Sequence, residues 1–387
     1  MPPKISILLP TFSRFQNGFL KRAVASIQNQ TFRDWELFVV DDASFDGTAN
    51  FLAQLSESDK RINHFRMEEN VGLPAQTLAK AFLKTSGDFI AFNFDDTELN
   101  LDSLQLLYDK FAEQPELEMV YGDMLMHMPD GVQKFGEPPN LDKLEALNFI
   151  GNASVLIKKE AFRKIGWYDP NLILKRCCDW DLWLRAFKKL KIAYIPTVLS
   201  EEFGQAQTDS FRRCLYMFES LLRKYMLSER DEILTPEAIA TNEISIDTPC
   251  ENLNDQDLYE YAQVCLEHYV STIQTAGIAK HSATLLKLAK DPNIGRINQK
   301  INAQTTTNPG TNITDLATGL IFHHFNKMNL LMQNILELES ALEKTRQVLG
   351  QELGNLKDEH HKLLRSASWK LTYPLRKIRA TLGLHRD

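Results

Sequence analysis

Cysteine is scarce in this 387-residue chain, and none of the five present (Cys177, Cys178, Cys214, Cys250, Cys265) forms a CxxC pair. An odd number without paired spacing indicates neither a disulfide framework nor a zinc site. Long hydrophobic runs are missing too. No stretch approaches the ~18 apolar residues of a membrane-spanning helix, and the run from Ile5 to Pro10 is too short for the apolar region of a signal peptide. A cytoplasmic chain is the expectation. Positive charge is not in excess: 44 Lys and Arg stand against 51 Asp and Glu, giving a formal charge of −7 and a pI near 5.8. That balance argues against nucleic acid as a partner of the whole chain. Finally, no GxGxxG follows the first predicted strand, and a dinucleotide-binding unit needs those glycines for close approach to pyrophosphate.

What is present is globular in character, with 43% hydrophobic and 10% aromatic residues. The length exceeds one compact domain, so a main domain with appendages is expected. Apolar runs at 5–10, 35–40 and 89–92, with a further β segment near 64–67, alternate with helical periodicity at Phe19, Leu20, Ala23, Val24 and Ile27, at Phe51, Leu52 and Leu55, and over 75–85. Strand Ile5 onward is expected to stop at Pro10. The β-α-β-α-β order predicts an α/β fold, a parallel doubly wound layer with right-handed crossovers.

The chemistry gathers at the strand ends. The stretch 86–100, SGDFIAFNFDDTELN, runs from a buried strand straight into Asp95 and Asp96. In an open α/β sheet ligands bind at the C-terminal ends of strands. Two adjacent carboxylates with Asn93 beside them suit a divalent cation that carries phosphate oxygens; an Asp-rich turn with a helix N-cap suits the same residues. The second strand also ends in paired acids, Asp41 and Asp42, within VVDDASFDGT.

These residues resemble the family 2 glycosyltransferases, which have the GT-A nucleotide-diphospho-sugar fold. The motifs that carry the resemblance are ISILLPTFSR (5–14), QTFRDWELFVVDDASFDGT (30–48), NVGLPAQ (70–76), GDFIAFNFDD (87–96), GNASVLIKKEAFRKIGWYDPNL (151–172) and CDWDLWLRAF (178–187). They occur in the family's order and cover roughly residues 4–200. The resemblance implies transfer of a sugar from a nucleotide-sugar donor to a hydroxyl of a glycan or lipid-linked glycan acceptor, with inversion, in the assembly of a cell-surface polysaccharide. Asp42 matches the acid that bonds the nucleotide base, and Phe12 is placed to lie against that base or in the core. Pro10, Thr11 and Asn70 belong to the same donor-binding set. Asp95 and Asp96 match the pair that touches ribose and metal, Mg²⁺ or Mn²⁺. Asp179 matches the general base; Asp181, two residues on, would point elsewhere on a helix and reads as a supporting residue or cap, and Trp180 and Trp183 are the aromatics that could stack on a sugar face. Trp183 belongs to the buried stripe of that helix.

Three departures from the family pattern stand out: Asn93 for a further Asp, Cys178 for a Glu, and Gln76 for an Arg. No histidine lies between His127 and His268, where many relatives place one after the base; Gln205 or Gln207 is the expected substitute. The QxxRW signature of processive relatives is absent near 205–215, so one sugar per encounter is expected. Two other classes share features with the chain. A non-catalytic sugar-nucleotide-binding scaffold would keep the fold without needing all four acids. A sugar-1-phosphate nucleotidyltransferase would need a Gly-rich basic loop after the first strand, which TFSRFQNGF is not.

Beyond residue 200 the pattern changes. The catalytic domain is expected over 1–227, with 211–227 helical and packed back on it. A helical region and polar linker follow at 228–314, the acidic part 228–260 being loop or solvated face. In 315–365, Met328, Ile335, Leu342, Leu349, Leu356 and Leu363 recur every seven residues, with Leu331 and Leu338 at the complementary positions. That repeat predicts a C-terminal coiled coil, joining copies of the chain or a partner helix. The tail 366–387 interleaves Lys370, Arg376, Lys377, Arg379 and Arg386 with Trp369, Leu371, Tyr373, Leu375 and Ile378. Such a stretch suits peripheral contact with an anionic membrane at the inner face of the plasma membrane, or docking on the chain's own acidic region.

Overall fold

The computed structural model describes residues 4–68, 70–174, 177–204, 219–228, 234–241, 344–347, 349–359 and 361–362. The chain divides into two units, Met1–Thr318 and Gly319–Asp387. In the first, β1 (Ile5–Thr11) is buried at all seven positions, as a strand covered on both faces must be. Helix α1 (Phe19–Gln28) leads to β2 (Trp35–Asp41), α2 (Thr48–Ser58) to β3 (Ile62–Arg66), and α3 (Pro74–Phe82) to β4 (Phe89–Phe92). These strands lie in the order β3-β2-β1-β4, all parallel. The five apolar positions of α1 are all buried, and each large side chain so buried contributes about 1.5–3 kcal/mol.

Pro10 does not stop the first strand. It pairs with Val40, and the strand continues to Thr11. The β1–β4 ladder ends at Leu8 and Phe92, so at Pro10 one side of β1 has no neighbour to receive a backbone N–H. A proline is tolerated where the ladder is open.

The remainder of the sheet is mixed, which corrects the wholly parallel expectation. After β5 (Thr97–Leu99) come α4 (Ser103–Glu113), β6 (Met119–Met128), β7 (Gly131–Phe135), α5 (Leu141–Ala146), β8 (Val155–Lys158), α6 (Phe162–Ile165), α7 (Cys178–Lys189) and β9 (Ile192–Glu202). Among the described residues the sheet has nine strands, continuing past β4 as β8-β6-β9-β5 with β7 beside β6. β8 runs antiparallel to both its neighbours, and β6 pairs with β9 in parallel. β9 ends opposite Thr97 of β5, so the chain leaving it arrives beside the acids that precede β5.

Two short helices follow, α8 (Glu219–Leu227) and α9 (Pro236–Thr241). α9 lies inside the stretch expected to be loop. It is seated on the body of the first unit: Ile239 is buried, and the Trp167 N–H donates to the Leu234 carbonyl at 2.7 Å. Six residues are too few to show a helical period.

In the second unit, residues 344–347, 349–359 and 361–362 are helical, with Leu349, Leu353 and Leu356 exposed. Met328, Leu331, Ile335, Leu338, Leu342 and Leu363 of the heptad pattern, most of 228–314 and the tail 366–387 lie outside the described residues. Among the described residues no helix is long and apolar enough to cross a membrane.

Candidate active site

Strands β2, β1 and β4 end side by side, and the loops that leave them are bonded to one another. The Asp42 N–H donates to the Thr11 carbonyl at 2.9 Å. The Asp42 carboxylate accepts the Val71 and Gly72 N–H groups at 2.9 and 2.8 Å and the Asn70 amide at 3.1 Å. Gly72 has φ 66, a left-handed conformation open to glycine, which lets consecutive N–H groups face one carboxylate. Burial pushes the Asp42 carboxyl up to about 6 in spite of these bonds. Asp41 is a turn residue, as the Asp-rich reading has it: it accepts the Ser44 N–H at 2.8 Å and pairs with Arg66 at 2.6 Å.

Phe12 stands at the exit of β1, half-buried, with its ring edge-on to Phe45 at 5.8 Å. Phe45 is 65% exposed, so this pair offers an aromatic surface beside Asp42. The two loops that carry them are held in unusual backbone: Ser13 has φ 52 and Ala43 φ 63. Ser13 N–H donates to the Ser44 hydroxyl at 2.8 Å. Left-handed non-glycine residues are uncommon and gather at functional sites.

The loop after β4 carries Asp95 and Asp96. The Phe12 N–H donates to Asp95 at 3.2 Å. Burial and the neighbouring Asp96 push the Asp95 carboxyl up to about 7, against Arg14, Thr11 and the Phe12 N–H, which favour its charged form. Arg14 faces both acids, its Nε 3.9 Å from Asp95 and its Nη2 3.8 Å from Asp96. Asn93 is fully buried and closes the turn by donating to the Thr97 carbonyl at 3.2 Å. The residues that follow form β5, not a helix, so the acids are not an N-cap. On the far side, the Phe203 N–H donates to the Asp96 carbonyl at 2.9 Å. A Cβ on Gly204 would lie 1.8 Å from the Asp96 carboxylate.

The donor set fits a divalent cation of one kind. Two adjacent carboxylates could contribute one or two ligands to Mg²⁺ or Mn²⁺, substrate phosphates and water supplying the rest; among the described residues no group of three or more His, Cys, Asp or Glu is placed to hold a metal ion.

Asp179 lies in the first turn of α7, where a carboxylate complements the helix dipole. It accepts the Trp180 N–H at 2.8 Å, and the Asn148 amide reaches it at 3.4 Å. Burial nevertheless raises its carboxyl to about 6. Tyr168 joins this helix to β4: its ring packs on Phe92 at 5.2 Å, and burial, Cys178 and Asp179 push its hydroxyl well above the ordinary range. Asp181 is fully buried and braces the helix, accepting two bonds from Arg185 at 3.0 and 2.9 Å. Trp183 is core. Trp180 is buried as well, its indole N–H donating to the Leu144 carbonyl at 2.6 Å, so it supports α7 from within and shows little ring face to a sugar.

Four residues gain a place that sequence patterns did not give them. Arg14 is the last residue of ISILLPTFSR, and exposed Phe45 follows Asp42 by three positions. Asn148 precedes its motif and carries no signal. Gly204 stands next to Asp96 only because β9 pairs with β5. Gln205 and Gln207 lie outside the described residues.

The family model for glycosyl transferase family 2 matches residues 6–154. A Campylobacter jejuni protein named GalNAc(5)-diNAcBac-PP-undecaprenol beta-1,3-glucosyltransferase is 33% identical over 141 residues, 36% of this chain and 44% of that protein. TuaG of Bacillus subtilis strain 168, named for teichuronic acid biosynthesis, is 30% identical over 197 residues, 50% of this chain and 75% of that protein. Among solved structures, S. aureus TarS has a TM-score of 0.48 and 18% identity, with 67% of this chain and 80% of that chain covered.

Proposed function

We propose an inverting sugar transfer for this chain, which belongs to glycosyl transferase family 2. A sugar passes from a nucleotide-sugar donor to a hydroxyl of a glycan or lipid-linked glycan acceptor, in the assembly of a cell-surface polysaccharide. The observation that supports it best is the bonded meeting of three loops, with Asp42 beside half-buried Phe12 and exposed Phe45, and Asp95 bonded to the Phe12 N–H. The name of the C. jejuni relative describes glucosyl transfer to an undecaprenol-linked glycan, and that of the B. subtilis relative describes teichuronic acid biosynthesis.

In this reading Phe12 and Phe45 lie against the base while Asp42, held by Asn70, Val71 and Gly72, bonds its edge. Pro10 and Thr11 set the floor beneath the ribose, and Asp95 accepts from a ribose hydroxyl. Asp96 and Asp95 would hold Mg²⁺ or Mn²⁺, which supplies charge stabilisation to the departing diphosphate. Asp179 takes the proton from the acceptor hydroxyl as it attacks the anomeric carbon. Its burial suits that task, since a carboxyl raised to about 6 is a stronger base than an exposed one and is still ionised at neutral pH. The Asn148 amide keeps the carboxylate turned toward its partner.

For the rest of the chain, the catalytic domain is assigned to 1–227. The exposed stripe Leu349, Leu353, Leu356 favours helix-to-helix association through 315–365, and the basic aromatic tail favours peripheral membrane contact in the cytoplasm.

The test is a panel of nucleotide sugars titrated onto the purified chain with Mn²⁺ or Mg²⁺, with chelator, and with Asp96→Ala. Metal-dependent binding of one donor, lost in the variant with the melting temperature unchanged, is the expected result. Full binding and transfer in chelator would sink the metal role.

A further inference from the structure

We infer that Arg14 serves the acid pair in two successive ways: it is the resident cation of Asp95 and Asp96 before metal and donor arrive, and it binds the donor's diphosphate afterwards. This deepens the donor-site reading and rests on it.

The geometry combines an anchored stem with a loosely held head. On the backbone, the Leu20 N–H donates to the Arg14 carbonyl at 3.3 Å, and the next residue, Phe15, donates its N–H to Asp46 at 2.9 Å. Ser13, at φ 52, turns the chain so that Arg14 stands over the loop after β4. The guanidinium itself is 3.8–3.9 Å from its two acids, well outside the 2.7–2.9 Å of a tight charge-assisted bond, and lies over the Phe19 ring at 5.8 Å, a contact that does not fix its orientation. Its side chain is 31% exposed, so it has room to turn.

The other nearby arginine is differently engaged. Arg22 pairs with Glu98 at 3.1 Å and lies 4.9 Å over the Phe203 ring. Among the described residues, Arg14 is the cation that pairs with both acids. A divalent ion entering between Asp95 and Asp96 repels a guanidinium only a few ångströms away, while a diphosphate bound to that ion attracts it. Arginine's planar fork is suited to phosphate oxygens, so the displaced head finds a partner within its own reach. The same charge thus opposes metal binding when no nucleotide is present and favours nucleotide binding when metal is.

That opposition in sign gives the test. In the full chain, Mn²⁺ alone is titrated and followed by electron paramagnetic resonance, and UDP, GDP and uridine are titrated separately at saturating Mn²⁺. Arg14→Gln should bind Mn²⁺ about tenfold more tightly, and the diphosphate it favours about tenfold more weakly. Uridine binding should stay unchanged, and Arg14→Lys, which keeps the charge without the fork, should recover part of the diphosphate affinity. Unchanged or weaker Mn²⁺ binding in Arg14→Gln would overturn the first role. An equal loss for uridine and diphosphate would overturn the second, because it would mark a general disturbance of the loop. Wild-type chain that binds neither Mn²⁺ nor any nucleotide would instead overturn the donor-site reading itself.

Discussion

The Asn148 side-chain amide reaches the Asp179 carboxylate at 3.4 Å, across 31 residues and from a loop to a helix start. The bond favours the charged form of Asp179 against the effect of burial, while its other oxygen accepts the Trp180 N–H. If Asp179 is the base, Asp179→Asn should keep nucleotide-sugar binding and lose transfer by ~10²-fold or more. Asn148→Ala should lower kcat with little change in donor affinity. Near-normal turnover in Asp179→Asn would move the role to another group.

The pH dependence follows from burial. A base must be unprotonated to accept a proton, and burial raises the Asp179 carboxyl to about 6, so kcat should fall below about pH 6 and level off above it. The stability of the metal-free protein should run the other way. Asp42 and Asp179 both sit near 6 when folded, above their ordinary value of 3.8, so the folded state takes up their protons first. Their contribution is complete below about pH 4 and is lost as pH rises through 6. Melting temperatures measured at pH 5 and pH 7.5 should therefore favour pH 5; the reverse order would contradict the burial of these two acids.

Much of the first half was legible because its strands are buried on both faces and so appear as unbroken apolar runs. β1, β2 and β4, and the acids at their ends, follow directly from Ile5 to Leu9, Leu37 to Val40 and Phe89 to Phe92. The direction of β8 was not legible, since Val155 to Ile157 make an apolar run whichever way the strand points. Nor was the company of Asp96: Gly204 and Phe203 reach it through a strand pairing between Thr97 and Glu202, 105 positions apart. Local patterns find a strand and its terminal acid, whereas the groups that surround that acid are fixed by tertiary pairing.

Gly204 gives a direct check on that pairing. Its φ is not in the left-handed region, so glycine is required there for space and not for backbone freedom. A methyl group would meet the Asp96 carboxylate at 1.8 Å, and the flexible end of Asp96 would yield. Gly204→Ala should therefore fold with little change in melting temperature but lose about tenfold or more in Mn²⁺ and donor affinity, a size typical of changes in the groups supporting a ligand. Unaltered Mn²⁺ binding would show that Asp96 does not need the position it holds here.

The last prediction separates the second unit from the chemistry. Leu349, Leu353 and Leu356 are 59%, 56% and 63% exposed on their helix, and spacings of four and three residues put them on one stripe. In the proposed reading these three leucines would supply an association surface, and the basic aromatic tail would add attraction to anionic headgroups of about 1 kcal/mol per cation. None of the acids at the strand ends belongs to this unit. Truncation after Phe325 should thus leave metal-dependent donor binding intact while lowering the sedimenting mass and the flotation with anionic vesicles. The vesicle effect should fade as salt is raised, because exposed charges are screened beyond about 8 Å at physiological ionic strength. Equal mass and equal flotation for the two forms would mean that this helix and tail fold against their own chain, and the leucine stripe would then need an intramolecular partner.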